Sequence, residues 1–298
     1  MRIIVRQSGG LGNQIFQYAA GVYFANRYGA ALTVAADPDP NAASHGSPRP
    51  FRLSTFRLGA SEVRAANRLE YFLLTTKPAA QPAARLMRGL VGARVFADAD
   101  AYRFFPELPF SRKPRVVYLR GYWQAAGYAA AVEAQLRQDL TLKDPPTGKN
   151  LETLERIASC PCPVSLHIRR GDYLVGDLTL SLLYYQEALR MVRSLHPDAA
   201  LFVFSDDMEY ARAHLPRDLP TCFVDHNDDF SAQEDLRLMA ACHHHVIANS
   251  SFSWWGAWLN ARPGKLVIAP RNWRGDTPSY YPDLYPGGWK AIENPPKS

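Results

Sequence analysis

The sequence lacks several features that would place the chain in common functional classes. It has 4 cysteines among 298 residues, and Cys160-Pro161-Cys162 lacks the two-residue spacer of zinc knuckles and redox pairs. No apolar run reaches the length of about eighteen residues that a membrane-spanning helix needs, and the apolar stretch after Met1 is too short for a signal peptide. We therefore expect a reduced, cytoplasmic chain with ordinary buried thiols at Cys160, Cys162, Cys222 and Cys242.

Signatures of other enzyme and binding classes are missing as well. No serine lies in a Gly-x-Ser-x-Gly elbow, which argues against an α/β-hydrolase. The loop Gly9-Gly10-Leu11-Gly12 has neither the spacing of a dinucleotide fingerprint nor the lysine of a Walker loop, so it predicts either a phosphate-binding loop or a tight turn. The formal charge is +6, and the arginines are scattered along the chain. This charge suits an anionic ligand such as a nucleotide and disfavours general nucleic-acid binding.

Length and patterning predict two α/β domains. Charge, two prolines and a glycine lie between Asp139 and Asn150, so we predict domains at 1–150 and 151–298. Helical patterns alternate with short apolar runs, which predicts parallel sheets. The predicted strands are Ile3–Val5, Ala31–Val34, Val116–Leu119, Val164–Ile168, Leu201–Phe204, Val246–Ala248 and Leu266–Ala269.

Polar motifs follow three predicted strands of the second half. They are His167 to Tyr173, Ser205-Asp206-Asp207 and Asn249-Ser250-Ser251. Because ligands bind beyond the carboxyl ends of parallel strands, we expect the three motifs to meet in one cleft. Arg169 and Arg170 are suited to bind phosphate oxygens bidentately, although a solvated turn with one ion pair is the alternative.

A tryptophan-rich segment follows the third of these motifs. The serines after Asn249 open a predicted helix, whose free amides are suited to bind an anion. Trp254, Trp255 and Trp258 lie at i, i+1 and i+4, so at least two of them share a face. We expect the tryptophans to lock this helix in place while the serines use its N-terminus.

Two further segments have competing structural explanations. We interpret His243-His244-His245 as a helix C-terminus rather than a metal site, since consecutive histidines cannot all face one ion. Ser231 and Glu234 predict a capping box at a helix over 231–242.

Two polar stretches of the first half have structural explanations too. The triplets Asp37-Pro38-Asp39 and Asp98-Ala99-Asp100 are interpreted as solvated surface. The stretch from Arg120 to Gln124 follows a strand, and it predicts either a sugar platform or a packed aromatic turn.

Four blocks of the sequence resemble the bacterial α-1,2-fucosyltransferases. They are Gly9 to Ala19, His167 to Tyr173, Phe204 to Asp207 and Asn249 to Leu259. The second block is also similar to a motif of α-1,6- and protein O-fucosyltransferases. The resemblance implies a GT-B architecture of two Rossmann-like domains with the active site in the interdomain cleft. It places the acceptor side in the N-terminal domain and GDP-fucose in the C-terminal domain.

The resemblance further implies an inverting galactoside 2-α-L-fucosyltransferase that needs no metal. The donor would be GDP-fucose, and the acceptor a terminal galactose of a cell-surface glycan such as O-antigen. Animal members carry an N-terminal membrane anchor, which we do not expect in this chain, so we expect a cytoplasmic enzyme, compatible with peripheral contact at the inner face of the membrane. The alternatives are another linkage, another GDP-sugar, or a non-catalytic nucleotide- or glycan-binding protein.

The resemblance also implies roles for individual residues. Arg169 would bind the donor diphosphate, and Asp172 would either act as the base or orient Arg170. The implied catalytic residues are Arg169, Asp172 and Asn13. The implied donor-binding residues are Gly10, Gly12, Asn13, His167, Arg169, Arg170, Ser205, Asp206, Asp235, Asn249, Ser250, Ser251 and Phe252, and the implied acceptor-binding residues are Gln14, Tyr122, Trp123, Asp172 and Tyr173.

Overall fold

The computed structural model describes residues 1–36, 50–68, 70, 81–90, 92–98, 100–216, 218–275 and 278–294. The chain separates into two compact units, Met1–Lys143 (unit 1) and Asp144–Ser298 (unit 2). This division falls inside the segment from Asp139 to Asn150, where the composition changes. The triplet Asp37-Pro38-Asp39 and its proline-rich loop lie outside the described residues.

Unit 1 is built on a parallel sheet. Its described strands lie in the order β3-β2-β1-β5-β4, so consecutive strands are joined by crossovers. The strands are β1 (Arg2–Gln7), β2 (Ala31–Ala36), β3 (Glu62–Ala65), β4 (Ala93–Ala97) and β5 (Val116–Arg120). The helices are α1 (Leu11–Tyr28), α2 (Gln81–Leu90), α3 (Ala126–Ala131) and α4 (Glu133–Asp139), with a short 3-10 helix at Leu53–Thr55.

Helix α1 lies directly on the centre of this sheet. It begins at Leu11. A Cβ at Gly21 would lie 3.1 Å from Val5 and 3.0 Å from Leu32, so glycine allows the helix to approach β1 and β2 closely. Gly9, with φ of +74°, makes the sharp turn from β1 into the helix.

Unit 2 is built on a second parallel sheet, in which the described strands lie in the order β11-β10-β9-β6-β7-β8. The strands are β6 (Cys162–Ile168), β7 (Ala199–Ser205), β8 (Thr221–Val224), β9 (His244–Val246), β10 (Val267–Pro270) and β11 (Lys290–Ile292). The helices are α5 (Gly148–Ser159), α6 (Leu182–Leu195), α7 (Met208–His214), α8 (Ala232–Ala241) and α9 (Ser251–Leu259), with a 3-10 helix at Pro282–Leu284. None of the helices in the described ranges is long and apolar enough to cross a membrane.

The tryptophan-rich helix α9 is locked in the core of unit 2. Trp254 and Trp255 are fully buried and pack edge to face with their ring centroids 4.8 Å apart. The indole Nε1 of Trp254 donates a hydrogen bond of 2.9 Å to the carbonyl oxygen of Leu284. A Cβ at Gly256 would lie 2.9 Å from Cβ of Met239, so glycine lets α9 pack tightly on α8. The expectation that the tryptophans fix this helix is confirmed.

The interpretation of the three histidines as a helix C-terminus is wrong. Helix α8 ends at Ala241, and His244 and His245 lie in β9. Asn260 Nδ2 donates to His245 Nε2 at 2.8 Å, so the neutral ring carries its proton on Nδ1, 2.7 Å from Ser165 Oγ. Burial lowers the pKa of His245 well below its usual value, so this histidine is a neutral core residue rather than a partner of a helix dipole.

The capping box predicted at Ser231 and Glu234 is also wrong. Ser231 Oγ donates to the carboxylate of Asp228 at 2.8 Å, so its hydroxyl does not cap the helix. Glu234 instead pairs with Arg237 at 3.1 Å. The hydroxyl of Ser231 also accepts from the backbone N–H of Asp228 at 2.8 Å, so both its donor and an acceptor site are used in the turn before the helix.

Two further expectations need correction. Asp98 is not solvated surface: its Oδ2 accepts hydrogen bonds from the backbone N–H groups of Tyr122 at 2.7 Å and Trp123 at 3.0 Å. Only Cys242 has a buried thiol, whereas the other three cysteines are half-buried.

Candidate active site

The three polar motifs of unit 2 contact one another at the carboxyl edge of the sheet. The backbone N–H of Arg170 donates to Asp206 Oδ1 at 2.8 Å, which joins the ends of β6 and β7. The hydroxyl of Tyr173 donates to the carbonyl oxygen of Asn249 at 3.1 Å, which joins the same loop to the end of β9. The rings of His167 and Phe252 lie 5.8 Å apart. The strand ends thus assemble a single site within unit 2.

Arg169 is held at this site by two carboxylates. Its guanidinium lies 2.6 Å from Asp172 Oδ1 and 2.9 Å from Asp206 Oδ2. A Cβ at Gly171 would lie 2.7 Å from Asp206 Oδ2, so glycine lets the loop pass over the second carboxylate. Two partners fix the direction of a long, flexible side chain, and a guanidinium has further N–H groups to offer a ligand.

Arg170 has a different set of partners. Its Nε lies 2.9 Å from Asp207 Oδ2, and its guanidinium lies over the ring of Tyr210, 3.5 Å from the centroid. Asp207 also caps α7 through the backbone N–H of Tyr210. The expectations that Asp172 orients Arg170, or that this stretch is a solvated turn with one ion pair, are therefore wrong. Tyr210 and Asp207 as partners of Arg170 did not emerge from the sequence.

Several buried polar atoms of unit 2 have no hydrogen-bond partner among the described residues. Two of them, Nδ1 of His167 and Oδ1 of Asn249, belong to the predicted motifs. Burial and the neighbouring charge of Arg169 lower the pKa of His167 to about 3, so the ring is neutral. Asn249 Nδ2 is fixed by the carbonyl oxygens of Leu178 at 2.8 Å and Trp273 at 3.1 Å, which leaves Oδ1 as the unpaired atom. Unpaired buried polar atoms are costly, and that of His167, which lies close enough to Arg169 for its charge to act on the ring, marks a place for a polar ligand.

The N-terminus of α9 adds donors to the same edge. Ser250 is the N-cap residue, and its Oγ accepts a hydrogen bond of 3.3 Å from the backbone N–H of Phe252. Ser253 Oγ donates to the carbonyl oxygen of Ser250 at 3.4 Å. Ser251 is half-buried at the first helical position. A capped helix start next to a guanidinium is an environment that binds anions.

The remaining residues predicted to bind the donor lie along the same sheet edge. Ser205 Oγ accepts from the backbone N–H of Asp207 at 3.0 Å, so it shapes the turn after β7. Asp235 lies in the first turn of α8, and Asn227 Nδ2 donates to its Oδ1 at 2.7 Å. Burial raises the pKa of Asp235 to about 7. Asn227 did not emerge from the sequence, although it lies in the polar run Asp225–Asp229 after β8, the same signal that found the other motifs.

The residues predicted in unit 1 behave differently. Gln14 is buried: its Nε2 donates to the carbonyl oxygens of Gly9 and Pro50, both at 2.9 Å, and its Oε1 accepts from the N–H of Arg52 at 3.0 Å. Trp123 is 2% exposed and adopts a φ of 55°. The prediction that Gln14 contacts the acceptor is therefore corrected, because its amide holds loops together. For Trp123, whose buried Nε1 has no hydrogen-bond partner among the described residues, the acceptor contact stays a prediction.

Other unit 1 positions leave room for a ligand. Gly10 is the N-cap of α1, and a Cβ there would meet nothing within 4 Å. Gly12 is buried in the first turn of this helix. Asn13 Oδ1 accepts from Gln124 Nε2 at 2.6 Å, and Tyr122 is half-buried beside Gly9. Asn13, Gly10 and Tyr122 stay as predicted ligand contacts.

One cluster of possible metal ligands occurs among the described residues. Cys162, His196 and His244 lie at the amino edge of the unit 2 sheet, with ligand atoms within 4.8 Å of one another. The two imidazoles are stacked with centroids 4.0 Å apart, which does not direct both lone pairs at one ion. The N–H of Leu266 donates to His244 Nδ1 at 2.9 Å, so the proton of the neutral ring is on Nε2. These side chains do not fit a metal site in this arrangement.

Comparison with known proteins agrees with the geometry. The model of glycosyl transferase family 11 matches residues 101–293. The chain is also 30% identical to an α-1,2-colitosyltransferase of Escherichia coli over 98% of this chain and 99% of that protein. The chain belongs to glycosyl transferase family 11. The resemblance seen in the sequence motifs is thereby confirmed.

Two further relatives are similar to this chain, one over most of its length and the other over less than half. The O-antigen biosynthesis glycosyltransferase WbnK of Escherichia coli is 29% identical over 89% of this chain and 93% of that protein. A galactoside α-(1,2)-fucosyltransferase of Saimiri sciureus is 27% identical over 42% of this chain and 38% of its own length.

Solved structures confirm the fold class of this family member. The fucosyltransferase NodZ from Bradyrhizobium superposes with a TM-score of 0.52 at 14% identity, over 86% of this chain and 92% of that chain. NodZ co-crystallized with GDP gives a TM-score of 0.53 at 14% identity, over 86% and 91%. The two parallel-sheet α/β units are thus those of a GT-B glycosyltransferase.

Proposed function

We propose that this family 11 glycosyltransferase transfers L-fucose from GDP-fucose to the 2-hydroxyl of a terminal galactose, with inversion. The observation that carries the proposal is the site in unit 2, where Arg169, neutral His167 and the start of α9 converge at one sheet edge. The names of similar proteins support it, since one is a galactoside α-(1,2)-fucosyltransferase and NodZ was crystallised with GDP. WbnK supports a role in O-antigen synthesis.

The site suits the departure of a diphosphate. As the bond from the anomeric carbon to GDP breaks, negative charge develops on the leaving phosphate oxygens. Arg169 and the amides at the start of α9 would bind these oxygens, and each well-placed donor contributes about 3 kcal/mol to stabilising such a charge. Because both groups are fixed before the substrate arrives, little reorganisation accompanies the reaction.

Asp172 is better placed to orient Arg169 than to act as the base. Its Oδ1 forms the 2.6 Å ion pair with that guanidinium, and Tyr173 next to it ties the loop to Asn249. We propose that the acceptor proton leaves to another group as the 2-hydroxyl attacks, opposite to the departing GDP.

A second donor has a specific observation in its favour. The relative that matches nearly the whole chain is named a colitosyltransferase. Colitose is L-fucose without the 3-hydroxyl, so the two donors differ by one hydrogen-bonding group. A site that pairs with this hydroxyl rejects the deoxy sugar by about 10⁴-fold, whereas a site that lacks the pairing accepts both.

A GDP-release assay tests both donors. We would supply GDP-fucose or GDP-colitose to the protein with EDTA present, with and without lactose, and determine the linkage of any product by NMR. The proposal expects lactose-stimulated release from GDP-fucose, an α-1,2 product and no loss of rate with EDTA. A clear preference for GDP-colitose would replace the donor and leave the reaction type standing.

Absence of turnover with both donors would also be informative. A protein that binds GDP but releases none from either donor, with lactose or other galactosides, would contradict the transferase proposal. That result would favour a non-catalytic nucleotide- or glycan-binding protein.

A further inference from the structure

A chain of side-chain amides lies beside the carboxylate of Asp235. Asn150 and Asn227 form a reciprocal pair, in which Asn227 Nδ2 donates to Asn150 Oδ1 at 2.8 Å and Asn150 Nδ2 donates to Asn227 Oδ1 at 3.0 Å. Asn227 Nδ2 also donates to Asp235 Oδ1 at 2.7 Å. The two hydrogens of one amide group therefore serve two acceptors, which fixes the plane of Asn227.

A histidine fixes the far end of this chain. His226 Nε2 lies 2.9 Å from Asn150 Oδ1. An amide oxygen only accepts hydrogen bonds, so His226 carries a proton on Nε2 and donates it. Three elements meet here, because Asn150 lies in the first turn of α5, His226 and Asn227 follow β8, and Asp235 lies in the first turn of α8. The amide pair of Asn150 and Asn227 thus has a hydrogen-bond partner at each end, His226 at one and Asp235 at the other.

Asp235 is half-buried. Its hydrogen bond to Asn227 places it beyond the end of β8, at the sheet edge where Ser205 and Asn249 also lie. A carboxylate that is held through one oxygen keeps its other lone pairs for N–H donors of a ligand. A nucleobase with adjacent imino and amino N–H groups, such as guanine, has that pattern of donors.

We propose that Asn227, supported by Asn150, is a positioning residue that holds the Asp235 carboxylate ionised and aligned for the N–H groups of the donor nucleobase. This inference rests on the proposed use of a GDP-sugar. It assigns no contact between substrate and Asn227, which acts through Asp235.

The charges around Asp235 explain why such a partner matters. Burial raises the pKa of Asp235 to about 7, and the hydrogen bond from Asn227 opposes this rise. The carboxylates of Glu234 and Asp228 add to the rise, although Glu234 is paired with Arg237. From α5 and the end of β8, the nearby charged groups are Lys149, Glu152 and Asp225, which act on His226. Removal of the Asn227 donor therefore raises the pKa of Asp235 further, and a larger fraction of the carboxyl is neutral at pH 7.

The test uses the full chain with Asn227→Ala and Asn227→Asp, and with Asn294→Ala as a matched control. Asn294 is also a buried asparagine of unit 2, and its Nδ2 donates to the carbonyl oxygens of Asn272 and Gly275. We would measure the GDP dissociation constant by calorimetry between pH 6 and 9, the KM and kcat for the GDP-sugar, and the melting temperature.

The expected result is a split between binding and turnover. Asn227→Ala should weaken GDP binding and raise KM by about tenfold, with kcat nearly unchanged, because one hydrogen bond to a charged group is lost. GDP binding should weaken as the pH falls and Asp235 takes up a proton, and we call this fall the acidic limb. In Asn227→Ala the acidic limb should move to higher pH. Asn227→Asp should move it further, since this substitution adds a second carboxylate. Asn294→Ala should lower the melting temperature without moving the limb.

Two outcomes would overturn the inference or separate it from the proposed function. An unshifted acidic limb in Asn227→Ala, with a lower melting temperature only, would show a structural role. Should this variant not fold, Asn150→Ala must show the same shift in smaller size, or the inference fails. A shifted limb in a protein that transfers no sugar would keep the nucleobase inference and remove the transferase function.

Discussion

The carboxyl edges of the two sheets both carry polar side chains, but the two edges differ in how those side chains are used. In unit 1, Gln14 and Gln17 are buried, and their hydrogen bonds go to the protein's own loops. Buried polar atoms without a hydrogen-bond partner among the described residues occur in both units, at Gln7 and Trp123 in unit 1 and at His167 and Asn249 in unit 2. What marks the unit 2 edge is that such an atom accompanies Arg169, a cation that two carboxylates hold in place.

The titratable groups at the unit 2 edge also have pKa values far from their ordinary values. At the unit 2 edge, burial lowers the pKa of His167 to about 3 and raises that of Asp235 to about 7. Shifts of this kind cluster at functional sites, because a ligand-free pocket desolvates groups that the ligand later pairs. At the unit 1 edge, the amides of Gln14 and Gln17 have no charge to shift and are already paired, and the pKa that burial raises there is that of Asp98, whose carboxylate accepts from two backbone N–H groups.

The largest expected effect is that of Arg169→Ala. Loss of the guanidinium removes the cation that we propose to bind the donor diphosphate, and it removes the ion pairs of Arg169 with Asp172 and Asp206. We expect kcat/KM for the GDP-sugar to fall about a thousandfold. The matched control is Arg190→Ala, whose partner Glu187 is on the exposed side of α6. Near-normal turnover in folded Arg169→Ala would remove the unit 2 edge as the active site.

His167→Leu should separate function from stability. The substitution replaces a buried imidazole that has an unpaired Nδ1 with an apolar group of similar size. We expect kcat/KM to fall about tenfold to a hundredfold as a ligand hydrogen bond is lost, while the melting temperature stays equal or rises. Measurement of both on one preparation checks the split. A marked drop in melting temperature would instead make His167 a structural residue.

Much of the fold was predictable, because it depends on short-range patterns. Alternating apolar runs and helical patterns predicted the strands around Val164–Ile168 and Leu201–Phe204, and polar residues at their ends predicted where the site lies. The rule that found these motifs also applies to the polar run that contains Asn227, which follows β8. That residue could therefore have been predicted in the same way.

What the sequence could not show depends on distant partners. Gln14 binds Pro50 and Arg52, 36 and 38 residues away, and no local pattern marks such a pair. Trp123 is turned into the core by a positive φ that a tryptophan rarely adopts. The histidines before Val246 have no periodicity that separates a helix end from a short strand, so β9 was predicted too late in the chain.

Gln17→Ala should give the opposite result to His167→Leu. Gln17 is fully buried, its Oε1 accepts from the N–H of Ser8 at 2.9 Å, and its Nε2 donates to the carbonyl oxygen of Gly121 at 3.0 Å. Truncation leaves these backbone groups unpaired, so we expect the free energy of unfolding to fall by about 2 kcal/mol. Urea denaturation measures this loss, and Gln135→Ala on the surface of α4 serves as the control.

The activity of Gln17→Ala tests whether Gln17 at the unit 1 edge has only a structural role. Per folded molecule, kcat/KM should stay within a factor of about two, because the side chain contacts loops rather than substrate. A large loss of activity at unchanged stability would place a ligand at this edge as well.

The smallest expected effect is a change in how stability depends on pH. His167 keeps a pKa of about 3 in the folded protein, far below the ordinary value of about 6.5 that it regains on unfolding. Below about pH 6.5 the unfolded chain therefore binds a proton that the folded protein does not bind. The contribution of His167 to the free energy of unfolding is complete above about pH 6.5 and is lost as the pH falls toward 3. The loss is at most about 1.4 kcal/mol per pH unit.

His167→Leu removes this contribution, whereas His245, whose pKa is also lowered by burial, contributes equally to both proteins and cancels in the difference. We would measure the free energy of unfolding by urea titration at about pH 7.5, 6.5 and 5.5, the range in which an ordinary imidazole titrates. Below about pH 6.5, this free energy should fall less steeply in the variant than in the original protein. Parallel curves for the two proteins would mean that His167 takes up its proton in the folded state. A protonated ring would donate from both nitrogens, so the neutral, unpaired Nδ1 beside Arg169 at the unit 2 edge would then no longer be an argument for a ligand.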